Sequence, residues 1–392
     1  MVAPLEGVRV LDFTRALAGP YATMLLGDLG ADVVKVEEPE SGDETREWGP
    51  PFIADQSAYF LSVNRNKRSV ALDLKSEGGR ETARRLAQVS DVLVENFRPG
   101  TMERLGLGVD ELGSRRPELI YCSISGYGQG HPLAGYDQIV QGTAGLMSIT
   151  GLPGGPPTKF AVPIADVGAG MFAVHAILAA LLERQRTGTG RRIDIAMQDS
   201  MIALLTFIAG RYFATGVAPG QEGNDHPIIT PYGTFATADG YVNVSVGNDN
   251  QWQRFCAAID APELASDARY AQNRDRRALR EEIRAEIETR LRRFSSVECL
   301  RRLEAAGIPA GPIRTLDEVF ADPLVQDRKM RIEVDHPTAG SISVTGLPWK
   351  FEGDEFKVRR PPPRLGEHTQ EVVAELLGRT GERAGTATPH QA

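Results

Sequence analysis

The sequence predicts an α/β protein: a Rossmann-like large domain with a parallel sheet, plus a smaller α+β domain. Three observations carry this reading. Short apolar runs alternate with helix-length segments through the N-terminal third, the pattern of strand–helix–strand units. The texture changes to hairpin and charged helix after residue 231. A stretch near the C-terminus then returns to the style of the first part. The expected boundaries are 1–205 and 330–392 for the large domain, 206–230 for a linker or active-site loop, and 231–329 for the small domain.

The first strand is V-R-V-L-D-F, Val8 to Phe13, followed by the loop T-R-A-L-A-G-P. Pro20 then opens a helix, because proline suits a first turn whose N–H groups lack partners, and Gly30 suits its C-terminal end. A-D-V-V-K-V-E is the second strand, ending at Glu37. S-V-A-L-D-L (69–74), a helix from Glu77 to Gln88, D-V-L-V-E-N (91–96) and E-L-I-Y-C-S-I (118–124) continue the alternation. In such a sheet, ligands bind beyond the carboxyl ends of the strands.

Glu37 ends the second strand as a ribose-binding acid does in dinucleotide enzymes. The first turn, however, is R-A-L-A-G-P and not G-x-G-x-x-G, so the backbone cradle for a pyrophosphate is missing. Basic residues gather near the same strand ends instead: N-R-N-K-R-S at 64–69, Lys75, and N-F-R-P-G-T-M-E-R at 96–104. Such clusters suit a phosphorylated ligand, since arginine forks bind phosphate.

Tyr136 to Gly151 reads as a helix rich in small residues. Ala161 to Arg184 holds a short apolar run ending at Asp166, glycines at 168 and 170, and a helix apolar on nearly every face, which predicts burial, His175 included. Asp166 reads two ways: as an N-cap, whose oxygens accept from free N–H groups, or as a carboxylate held ionised by the helix dipole and open to a ligand. G-R-R-I-D-I-A-M is a further strand, followed by an apolar helix and a Gly/Pro-rich loop at 215–231. Beyond it lie a hairpin around A-D-G and helices at 250–259, 274–294 (charged and exposed) and 296–306. R-I-E-V and S-I-S-V-T, then a helix from Gln370 to Leu377, complete the fold. The residues from about Thr380 read as disordered.

Composition narrows the function. With 392 residues, 41% hydrophobic and 24% charged, the chain has material for a real core. The net charge of −8 argues against nucleic-acid binding. Three scattered cysteines, Cys122, Cys256 and Cys299, suggest neither disulfides nor a metal site and point to a cytoplasmic protein. No signal pattern opens the sequence, and no run forms a clean membrane span, since His175 and the glycine pair interrupt the nearest one.

Several stretches together resemble one family. They are P-L-E-G-V-R-V-L-D-F with A-G-P, L-G-A-D-V-V-K-V-E, S-G-D-x-T-R, N-K-R-S-V-A-L-D-L-K, D-V-L-V-E-N-F-R-P-G, A-D-V-G-A-G-M and L-G-E-H-T. In order along nearly the whole chain, they are similar to the class III (CaiB/BaiF-type) coenzyme A transferases, which include formyl-CoA transferase. The resemblance implies an intertwined homodimer that moves CoA from an acyl-CoA donor, with succinyl-CoA favoured, to a carboxylic acid. Coenzyme A is then a substrate, with no tightly bound cofactor. The catalytic aspartate falls on Asp166. The CoA contacts fall on Leu17, Ala18, Leu72, Lys75, Asn96, Phe97, Arg98, Arg104 and Tyr136. Glu38 departs from the pattern, standing where some relatives carry a basic residue.

On this basis Asp166 attacks the donor thioester to give a mixed anhydride, and CoA returns to form an aspartyl-CoA thioester. Backbone N–H groups near Asp166, or those of Tyr232 and Gly233, are candidates for oxyanion donors. Arg211, His226 and Asn248 are candidate partners for the acceptor carboxylate. The rival within the family is α-methylacyl-CoA racemase, whose G-H-D segment here is G-Y-D, with Tyr136 replacing the histidine. A non-catalytic CoA-binding protein is the reading from another class.

Overall fold

The computed structural model describes residues 3–353 and 356–378. The C-terminal stretch read as disordered from Thr380 lies outside the described residues. The chain divides into two compact units: Met1–Leu146, Lys159–Gly216 and Asp327–Ala392 in the first, Met147–Thr158 and Val217–Gln326 in the second.

In chain order the first unit contributes β1 (Arg9–Asp12), α1 (Ala18–Asp28), β2 (Asp32–Glu37), β3 (Lys67–Ala71), α2 (Glu77–Gln88), β4 (Val92–Glu95) and β5 (Ile120–Ser125). It continues with α3 (Asp137–Thr143), α4 (Ile164–Thr187), β6 (Arg192–Ala196), α5 (Met197–Leu204) and α6 (Thr206–Thr215). The six strands form one parallel sheet in the order β3-β2-β1-β4-β5-β6. This is the doubly wound order, which reverses direction between β1 and β4.

Strand alternation builds two cores from one sheet. Val10, Val33, Val92, Val94, Ile120 and Cys122 face one side, with α1 and α4. Leu11, Val34, Leu93 and Tyr121 face the other, with Leu86 of α2. Successive strand residues point to opposite faces, so a strand covered on both sides must be apolar throughout, as these runs are.

Helix α4 differs from its expected complete burial. Ala165, Ala169, Ala173 and Ile177 are buried, but Met171, His175 and Leu182 lie on an exposed stripe. His175 is therefore on the surface, its ring nitrogen 2.7 Å from the Met171 carbonyl. By length and composition α4 could cross a membrane, yet half of its apolar window is buried within the protein. The expected helix 136–151 breaks at Gly145, whose φ of +85° is left-handed and unsuited to a helix interior. Residues 206–215, read as part of a loop, form α6 instead.

The second unit holds β7 (Tyr232–Ala236), β8 (Tyr241–Ser245), α7 (Asp249–Ala258), α8 (Asn273–Ala278), α9 (Arg280–Leu291), α10 (Ser296–Ala305) and β9 (Ala310–Pro312). Its antiparallel sheet runs β9-β8-β7, and its core gathers Trp252, Phe255, Ile283, Ile287 and Leu303. The segment expected as one exposed helix, 274–294, is two helices with a buried face. Ile283, Ile287 and Leu291 recur every four residues and point inward. Arg276 is fully buried, satisfied by the carbonyls of Thr230 and Tyr270 and by Asp249.

The chain then re-enters the first unit with the antiparallel pair β10 (Arg331–His336) and β11 (Gly340–Thr345). Helix α11 (Thr369–Leu377) buries Val372 and Leu376 against the α2 side of the sheet. Thr369 Oγ1 accepts from the Ala71 N–H at 3.0 Å, tying the helix start to the end of β3.

Candidate active site at the sheet switch point

The loops after β1 and β4 flank the point where the strand order reverses. They are joined reciprocally: Arg15 N–H donates to Asn96 Oδ1, and Asn96 Nδ2 donates to the Arg15 carbonyl, both at 2.8 Å. The Arg15 guanidinium lies 5.1 Å from the Phe97 ring centroid. An open cleft of about 820 Å³ forms here, lined by Arg15, Ala18, Glu44, Asn96–Pro99, Ser125, Tyr136, Asp166 and neighbours.

A buried ion network anchors the β1 loop from below. Asp12 accepts from Thr14 N–H (2.8 Å), Thr14 Oγ1 (2.5 Å), Thr23 Oγ1 (2.6 Å) and Lys67 Nζ (3.1 Å). Lys35 Nζ donates to the Thr14 carbonyl and to Asp43. Burial pushes the Asp12 carboxyl up, but Lys67, Lys35 and the two threonine hydroxyls outweigh it and hold Asp12 below its usual range. Asp43 is lowered to about 2: burial again opposes, and the Lys35 ammonium and the Thr45 bonds prevail.

This network corrects the reading of the 64–69 cluster as phosphate ligands. Arg65 pairs with Asp28 at 2.7 Å, Lys67 with Asp12 and Arg68 with Asp32 at 2.5 Å, all three cations being buried. Their sequence spacing gives no sign of it, since the carboxylates come from other strands and helices.

Asp166 is the third residue of α4, and Pro163 occupies the N-cap position. The expected capping role is therefore not what Asp166 does. Burial, with the nearby Asp137 carboxylate second, raises its pKa to about 7, and the backbone N–H of Ala18 opposes them by favouring the ionised form. The raised value runs against the expected ionised state, and desolvation is its largest cause. Tyr59 is pushed up to about 12 by burial first and then by the negative charge of Asp166.

Of the other expected site residues, Ala18, Asn96, Phe97, Arg98 and Tyr136 line the same cleft as Asp166. Leu17 is the buried N-cap of α1, next to Ala18. Leu72 and Lys75 follow β3, Leu72 buried beneath the surface and Lys75 exposed. Arg104 ends the short helix Thr101–Arg104 and donates to Thr101 Oγ1. Among the described residues, no ion pair holds Arg15, Arg98 or Arg104. Glu38 caps its own turn, accepting from Glu40 N–H, Ser41 N–H and Ser41 Oγ at 2.7–2.9 Å.

Tyr232 and Gly233 sit in β7 of the second unit, paired with Ser245 and Val244. His226 accepts from the N–H groups of Ile228 and Ile229 and stacks on Tyr232, and Asn248 caps α7. Arg211 lies in α6 of the first unit. The sequence reading missed Arg15, Glu44, Tyr59 and Asp137. Of these only Asp137, an acid in the first turn of a predicted helix just before the Asp166 segment, carried any local signal.

Fold and site together define an α/β protein of the doubly wound class with a desolvated carboxylate in a cleft at the topological switch point. A model of CoA-transferase family III matches residues 5–369, and the chain belongs to that family. It is 44% identical to the succinyl-CoA:glutarate CoA-transferase of Mus musculus, over 95% of this chain and 86% of that protein. It is also 44% identical to the succinate–glutarate CoA-transferase of Agrobacterium fabrum, over 98% of each. A crystal structure of a CaiB/BaiF family protein from Brucella suis superposes with a TM-score of 0.85 at 41% identity, covering 96% of this chain and all of that one. The protein is a CoA-transferase.

Proposed function

We propose that this enzyme carries CoA from succinyl-CoA to a dicarboxylic acid of about glutarate's size, with Asp166 as nucleophile. One observation carries the role of Asp166: it is a desolvated carboxylate in the switch-point cleft, which Arg15 and Arg98, in no ion pair among the described residues, also line. The choice of acids is supported by the mouse and Agrobacterium relatives, both named for succinate and glutarate.

In the first step an Asp166 oxygen attacks the thioester carbonyl. The C–S bond breaks, CoA leaves as thiolate, and Asp166 becomes a mixed anhydride. The thiolate then attacks the aspartyl carbonyl, releasing succinate and leaving an aspartyl-CoA thioester. The acceptor carboxylate attacks that thioester, the C–S bond breaks, and a second mixed anhydride forms; the CoA thiolate then attacks the acceptor's acyl carbon, giving its CoA ester and releasing Asp166 as a carboxylate. The Ala18 N–H, which favours the ionised Asp166 carboxylate, would stabilise the oxyanion at the aspartyl carbon in these steps. Leu17, Ala18, Leu72, Lys75, Asn96, Phe97, Arg98, Arg104 and Tyr136 hold the CoA moiety. The cleft lining includes Tyr136 and, among the described residues, no histidine, so the acid–base pair of a racemase lacks its usual member.

The working form is a homodimer. The exposed apolar positions Met171 and Leu182 of α4, Ile202 and Leu204 of α5 and Phe213 of α6 support this, since such surface is normally covered. Light scattering should give about twice the chain mass; a monomer at micromolar concentration would overturn it.

Incubation with succinyl-CoA and a panel of free acids, read by mass spectrometry of the CoA esters, tests the function. Hydroxylamine added during turnover should mark Asp166. Transfer persisting in Asp166→Ala would end the proposal.

A further inference from the structure

The start of α4 is tied to α3 by side chains that the transfer chemistry does not itself use. Asp137 Oδ1 accepts the Ala165 N–H at 2.9 Å, one residue before Asp166. Asp137 Oδ2 accepts from Gln141 Nε2 at 2.8 Å, and Gln141 Oε1 accepts the Phe160 N–H at 2.8 Å. Gln141 is fully buried. The segment that leads into the nucleophile is thus clamped at two points, and the clamp centres on a second carboxylate.

That carboxylate is an unusual choice for a clamp. An amide would also accept from Ala165, without placing a negative charge beside the nucleophile. The groups around Asp166 are Asp137 from α3, Tyr59 from the helix Ala58–Val63, Glu44, and the cleft cations Arg15 and Arg98. Only the charge of Asp137 acts on the Asp166 carboxyl strongly enough to shift it visibly, after burial.

Acylation changes this balance. When Asp166 attacks a thioester, its oxygen bonds to the acyl carbon, the C–S bond breaks, and the electron pair and negative charge leave with the CoA sulfur. Asp166 is then uncharged, and the repulsion from Asp137 disappears. We propose that Asp137 is a positioning residue for CoA transfer: it pins the first turn of α4 and, as a fixed negative charge, disfavours free ionised Asp166 relative to its acylated forms. The proposal rests on Asp166 being the nucleophile. It goes further in assigning the stability of the covalent intermediates to a named neighbour.

Asp137→Asn keeps an oxygen for the Ala165 N–H, removes the charge and loses the acceptor for Gln141 Nε2, a loss that Gln141→Leu shares without the change of charge. With succinyl-CoA present, the fraction of enzyme found acylated by intact-protein mass spectrometry should fall about tenfold, and the acid limb of kcat/KM should move down by about one pH unit. Asp137→Glu, which keeps a charge, should hold both readouts near the wild-type values. Gln141→Leu removes part of the clamp without changing charge; it should slow turnover and leave the acid limb in place. If Asp137→Asn melts like the wild type and shows an unmoved acid limb with an unchanged acylated fraction, the proposal is overturned. If Gln141→Leu moves the limb as far as Asp137→Asn, the effect belongs to the clamp and not to the charge, which also overturns it. Absence of any acylated wild-type enzyme would instead fail the assignment of Asp166 itself.

Discussion

Gly170 of α4 packs against the Ala18 backbone at the start of α1, so the turn after β1 meets the helix that carries Asp166. The two helices meet closely at this point because Gly170 lacks a side chain. A Cβ there would lie 2.6 Å from the Ala18 carbonyl oxygen and 3.2 Å from the Tyr21 ring. Gly170→Ala should therefore push α1 away from α4 one turn beyond Asp166, since backbone cannot swing aside as a side chain can. The expected cost is about 1–3 kcal/mol of stability from overpacking. Turnover should fall further than that loss explains, because a displacement of about 1 Å at a reacting group can cost a hundredfold. Urea unfolding and kcat measured on the same preparation separate the two effects.

Turnover should depend on pH through Asp166. In the proposed mechanism the attacking form is the carboxylate, and burial with Asp137 raises its pKa to about 7. Activity should thus rise with pH through about 7 and fall on acidification, with a slope of one proton. A limb at about pH 4, the usual carboxylate value, would mean that the cleft is as wet as bulk solvent in the working enzyme. The log of kcat/KM for succinyl-CoA against pH reads this directly.

The same shift makes a stability prediction. A carboxyl whose pKa is raised on folding stabilises the fold fully below its unfolded pKa, and that contribution is lost as pH rises through the folded value, here about 7. At about pH 8 the wild type must hold a desolvated charge beside Asp137. Asp166→Asn removes that charge, so it should be inactive yet more stable than the wild type by about 2 kcal/mol, once the openness of the cleft is discounted. At about pH 4 the two should melt together. Thermal melts at both pH values test it; equal differences at the two would show that Asp166 carries no strain of charge.

Much of the large fold was legible in the sequence because parallel strands covered on both faces are apolar throughout. β2, whose Val33, Val34 and Val36 divide between the two cores, could hardly be read as anything else. α2 runs over Glu77–Gln88 as expected, and Ser76 caps it, accepting from Gly79 N–H. The errors share a physical cause. His175, Arg65, Lys67 and Arg68 were judged by their own chemistry, whereas their surroundings come from distant segments. A lysine that spans to Asp12 on β1 looks in sequence like any surface lysine. The capping reading of Asp166 failed for the same reason: its environment is set by burial and by Asp137 and Ala18, 29 and 148 positions away.

The Lys67–Asp12 pair predicts how far the site depends on chemistry beneath it. Both side chains are fully buried, and Lys67 Nζ also donates to the Pro20 carbonyl and Asn64 Oδ1 at 2.9 Å. Asp12→Ala leaves Lys67 buried without its carboxylate and frees Thr14 and Thr23 from their acceptor. Breaking one side of a buried pair costs about 3–5 kcal/mol. Replacing both, as Asp12→Leu with Lys67→Met, removes the uncompensated charge and should recover much of that stability. Activity should not return with it. Thr14 would still lack the acceptor for its N–H and hydroxyl, and the loop carrying Arg15 and Ala18 would no longer be fixed beneath Asp166. Urea unfolding of the single and double variants, set beside their rates with succinyl-CoA, distinguishes a network that only stabilises the fold from one that places the switch-point loop. Recovery of both stability and rate in the double variant would show that the loop holds its position without Asp12.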